Sequence, residues 1–95
     1  VEMVTENTKT IRFSEIGSSL GTRDLAARLR DDVLLDIDQI DKIIFDFEGV
    51  NVITNSFANE YFGKLIERIS VEKFRNKFAF INANDFIQRV LISSF

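Results

Sequence analysis

Lys42-Ile43-Ile44-Phe45-Asp46-Phe47-Glu48-Gly49-Val50-Asn51-Val52-Ile53-Thr54-Asn55-Ser56-Phe57 is the stretch that decides how this chain folds. From Ile43 to Phe47 the run is apolar except for Asp46, which predicts a strand covered on both faces, as in a parallel sheet. Gly49 supplies a turn conformation, and Thr54, Asn55 or Ser56 supplies the N-cap of a helix. That helix, over residues 56–70, is marked by Phe57, Tyr61, Phe62, Leu65, Ile66 and Ile69 at helical spacing.

Working outward, Val1–Thr5 and Thr10–Phe13 read as two short β runs around a polar turn. Ile16–Thr22 reads as a loop that ends at Thr22, the N-cap of a helix near 22–35, with Asp24 favouring the helix dipole. Leu25, Ala26, Leu29 and Val33 form its apolar stripe. Asp36–Asp41 is an acidic connection into the deciding strand. Downstream, Phe78–Ile81 is a buried strand, and Asn84 caps a last helix marked by Phe86, Ile87, Val90 and Leu91. The order β-β-α-β-α-β-α, with single helices joining successive strands, predicts an α/β fold. Its mostly parallel sheet has about four strands, packed by about three helices, in a single domain over residues 1–95.

Composition narrows the function. With 45% apolar residues and ten Phe the chain can build one core. It contains no His, which removes the commonest general base and metal ligand, and no Cys, which removes thiolate chemistry and disulfides. The expectation is therefore a non-enzymatic protein with no catalytic residues, no metal and no cofactor. A net charge of −3 offers no field for nucleic acid. No apolar run approaches the roughly 20 residues of a membrane span, so a soluble, cytoplasmic protein is expected.

The segment Asp46-Phe47-Glu48-Gly49-Val50, followed by Ile53-Thr54-Asn55-Ser56-Phe57-Ala58-Asn59-Glu60, resembles the STAS domain of anti-sigma-factor antagonists and sulfate-transporter tails. It is most similar to a prokaryotic STAS-like family of uncharacterised function. In that family an Arg-x-x-Ala-x-Arg-Leu helix, Asp-Phe-x-Gly-Val, Phe-Ala-Asp-Glu-x-Phe and Asn-Ala-Asn follow in order. Here they correspond to Arg23–Leu29, Asp46–Val50, Phe57–Phe62 with Asn59 in place of the acid, and Asn82-Ala83-Asn84. The resemblance implies a regulatory, protein-binding module whose partner is a histidine-kinase-type ATPase regulator. It also implies that Ser56 stands at or next to the antagonists' phosphorylation site, although Thr54-Asn55-Ser56-Phe57 replaces their Asp-Ser-Ser-Gly.

The expected partner surface comprises Arg23, Asp46, Gly49, Thr54, Asn55, Ser56, Asn59 and Glu60. For Ser56, helix capping competes with phosphorylation. Asp46 is expected at the strand's C-terminal edge, accepting N–H bonds from the next loop. Arg23 and Glu60 either form a structural ion pair, or Arg23 receives a phosphate or a partner's acid. The alternative function is a small-molecule or nucleotide sensor in the crevice at the strand C-terminal ends, between Gly21 and Ser56. The aspartates at 31, 32, 36, 38 and 41 lack the order of a calcium loop and read as solvated. Any of Phe74, Phe86 and Phe95 left exposed would mark a partner or homodimer surface.

Overall fold

A computed structural model describes residues 7–17 and 19–94. The expected first strand, Val1–Thr5, and the aromatic Phe95 lie outside them.

Lys42–Asp46 forms a central strand, and Thr8–Arg12 and Phe78–Ile81 pair with it in parallel on either side. Two further strands, Ser19–Leu20 and Val52–Ile53, form a separate parallel ribbon. In chain order the strands are β1 (Thr8–Arg12), β2 (Ser19–Leu20), β3 (Lys42–Asp46), β4 (Val52–Ile53) and β5 (Phe78–Ile81). The register places Thr10 beside Ile44, and Ile44 beside Ala79. Parallel pairing is as expected, but among the described residues the sheet has three strands and the ribbon stands apart. Two-residue strands carry no alternating pattern, so the segments around them read as loops.

The first helix, α1, spans Arg23–Asp36. The second begins as α2 (Asn55–Ala58), widens through a π-helical turn over Asn59–Gly63, and continues as α3 (Lys64–Ile69). A short α4 (Val71–Lys77) leads directly into β5, and α5 (Asp85–Ser94) closes the described chain. The expectation of about three helices omitted α4, whose single buried apolar residue, Phe74, leaves no periodicity to detect. Ser70 separates α3 from α4 with φ 84°, and its hydroxyl caps α4 by accepting the Lys73 N–H at 3.3 Å.

Aromatic rings form much of the core. Phe13 stacks on Phe47 with ring centroids 5.0 Å apart, and Phe45 meets Phe62 edge-on at 5.1 Å. Phe57 and Tyr61, one helical turn apart, stack at 5.8 Å. β3 is covered unevenly: Ile43 and Phe45 are fully buried, whereas Lys42 and Ile44 are half-buried. Of the aromatics singled out as surplus, Phe74 is buried against Phe78 and Phe86 is half exposed. Among the described residues, no helix is long and apolar enough to cross a membrane.

Candidate functional site

The β2–β4 ribbon places two helix starts next to each other, because β2 leads into α1 and β4 into α2. Thr22 caps α1, its Oγ1 accepting the Leu25 N–H at 3.3 Å. Thr54 caps α2, its Oγ1 accepting the Phe57 N–H at 3.0 Å. The same Thr54 hydroxyl donates to the Gly21 carbonyl at 3.0 Å, while the Thr54 N–H donates to the Leu20 carbonyl at 3.0 Å. One side chain thus finishes one helix and ties it to the approach of the other.

Ser56 is therefore not the cap. It lies one residue inside α2, half-buried, and among the described residues its hydroxyl has no hydrogen-bond partner. A cavity of about 340 Å³ opens beside it, lined by Arg23, Asn55, Ser56, Asn59 and Ser93. Arg23 accordingly shares a surface with Ser56. The crevice expected between Gly21 and Ser56 is spanned by Thr54, whose Cγ2 lies 3.5 Å from where a Gly21 side chain would begin.

Glu60 is held by two arginines from α1. Arg30 Nη1 donates to Glu60 Oε2 at 2.6 Å and to the Glu60 carbonyl at 2.9 Å. Arg23 Nη1 stands 3.5 Å from Glu60 Oε1, with 57% of its side chain exposed against 15% for Arg30. The Arg30 hydrogen bond holds the Glu60 carboxyl below its ordinary pKa, outweighing the opposing effect of burial. Arg30 is thus the tight partner of Glu60 and Arg23 the looser one. Arg30 escaped the sequence reading; its one signal was that it lies about two helical turns beyond Arg23, on the same face.

Asp46 and Gly49 belong to a different cluster. Asp46 Oδ1 accepts the Asn82 side-chain N–H at 3.0 Å and the Glu48 backbone N–H at 2.9 Å, and Arg12 Nε lies 4.0 Å from Oδ2. The Asn82 and Glu48 hydrogen bonds hold this carboxyl below its ordinary pKa. The expected strand-end role is thus met structurally. Gly49 takes φ +83°, and a Cβ there would stand 3.2 Å from Ser14 Cβ, so the turn requires glycine. Neither residue lines the cavity beside Ser56.

The family model described as STAS-like domain of unknown function (DUF4325) matches residues 26–88. The chain belongs to this STAS-like family. The matched span of the STAS-like domain contains Asp46, Ser56, Arg30 and Glu60, and begins just after Arg23. No curated protein and no solved structure matches the chain.

Among the described residues, no group of three or more acidic side chains is placed to hold a metal ion. An exposed guanidinium, two amide side chains and a hydroxyl without an internal partner share one open surface.

Proposed function

We propose that this STAS-like domain is a non-enzymatic regulatory module that docks a protein partner over the adjoining starts of α1 and α2. Ser56 is the regulated position and Arg23 the adjustable charge beside it. The observation that supports this most directly is the division of labour at the helix start: Thr54 does the capping, and Ser56 is left at the rim of an open cavity.

A phosphate on Ser56 would add about −1.5 to −2 charge. Arg23, loosely held by Glu60, is the nearby cation able to turn toward it. The exchange would alter both the charge and the shape of the docking surface. By family resemblance the partner is a histidine-kinase-type ATPase regulator, which would also be the kinase.

The test is a titration of a purified regulator of this class with wild-type protein, Ser56→Ala and Ser56→Asp. Ser56→Ala should bind as wild type does, and Ser56→Asp should bind at least about tenfold more weakly, the effect of about 1.4 kcal/mol of lost interaction. With ATP present, mass spectrometry should find one phosphate on wild-type protein and none on Ser56→Ala. Equal binding by all three proteins, together with no phosphate gained, would refute the regulated surface.

A further inference from the structure

A second cleft, of about 260 Å³, opens between β1, the turn that follows it and α1. It shares no residue with the cavity beside Ser56. Ile11 and Leu29 contribute apolar wall, and Lys9, Arg12, Glu15 and Asp32 also line it. Tyr61 lines it too, although only 1% of that residue is exposed.

Among the described residues, the Tyr61 hydroxyl has no hydrogen-bond partner. A phenol buried without a partner is an uncompensated cost to the fold unless something outside the chain completes it. Burial, and then the Asp32 carboxylate, push its pKa upward, so at neutral pH the group is a protonated donor. Asp32 and Tyr61 line the same cleft.

The surroundings define what would fit. Two cationic and two anionic side chains line the cleft, so their formal charges cancel and select no net charge. The volume falls below the roughly 300–1,000 Å³ usual for small-molecule pockets, which limits the ligand to a small body. We propose that this cleft binds a small uncharged molecule with an aromatic or branched apolar body and one hydroxyl or carbonyl oxygen, which accepts the hydrogen bond from Tyr61.

Phenol and toluene serve as the probe pair, titrated by ¹⁵N–¹H NMR into wild-type protein and Tyr61→Phe. Phenol should saturably shift the Ile11, Leu29 and Tyr61 amides of the wild type. Tyr61→Phe should weaken phenol about fivefold, the worth of one ordinary hydrogen bond, and change toluene by less than about twofold. Without ligand, Tyr61→Phe should melt at or above the wild-type temperature, because an unpaired buried hydroxyl is removed. A lower melting temperature would reveal an internal partner and overturn the proposal. So would an unchanged phenol affinity in Tyr61→Phe, the absence of saturable shifts up to about 10 mM, or a phenol-soaked crystal with only an ordered water against Tyr61.

Discussion

Replacing Thr54 probes the joint between the two helix starts. Thr54→Ala removes a cap, at a typical cost of about 1 kcal/mol, together with the hydrogen bond to the Gly21 carbonyl. Gly21 is exposed, so water can replace that partner, and the second loss lies at the low end of the usual range, about 0.5 kcal/mol. The total is about 1.5 kcal/mol, and for a domain of this size each kcal/mol lowers Tm by about 4–8 °C, giving a fall of roughly 6–12 °C. Thr54→Val keeps the methyl against Gly21 but loses both hydrogen bonds, and should fall as far. Thr54→Ser keeps both bonds and should stay within about 0.5 kcal/mol of wild type. Urea denaturation followed by circular dichroism measures all three. A valine variant as stable as wild type, or a serine variant as unstable as alanine, would show that the hydroxyl does not join the helices.

Two other positions give independent checks. Ser70 holds φ 84° and ψ 154°, a region that costs non-glycine residues roughly 1–3 kcal/mol. Ser70→Gly should relieve it, less a few tenths for the cap and about 0.5–1 kcal/mol for glycine entropy, leaving about 1 kcal/mol of stabilisation in the same urea assay; destabilisation would contradict the strain. Glu60 has a folded pKa below its ordinary value, so its contribution is full above the ordinary carboxylate range near pH 4.3 and is lost as pH falls through the folded pKa. Glu60→Gln should be less stable than wild type at pH 7 yet lose less stability between about pH 5 and pH 2.5, with Asp46 retaining part of the slope. Parallel stability–pH curves for the two proteins would argue against the Arg30–Glu60 bond.

Features encoded within a few residues were legible in the sequence. β3 announces itself by its apolar run, and α1 and α5 by their stripes. Thr22 and Asn84 announce themselves as caps, which the Leu25 and Ile87 N–H bonds match. Asp46, a carboxylate in an apolar strand, demanded partners and found them in Glu48 and Asn82. Features set by distant contacts were not legible. β2 and β4 exist through each other, 33 residues apart at the Gly21–Thr54 bond. α4 is defined by one ring, Phe74, against Phe78. The π turn keeps the helical spacing of Tyr61 and Phe62, so a one-dimensional pattern reports it as ordinary helix.

The assignment of the cap to Thr54 changes what modification of Ser56 could do. Had Ser56 been the cap, a phosphate there would remove a structural acceptor, and loss of binding could not be told from loss of the helix start. With Thr54 holding both the Phe57 N–H and the Gly21 carbonyl, the Ser56 hydroxyl can be replaced without breaking a hydrogen bond among the described residues. Charge can then be added to the surface while the fold beneath it stays in place. In the proposed switch Arg30 would complete that separation, because its 2.6 Å bond to Glu60 does not depend on Arg23. A switch of this kind acts through the electrostatics of the exposed face and leaves the stability of the domain nearly constant, which is why binding and melting temperature should respond independently to substitution at Ser56.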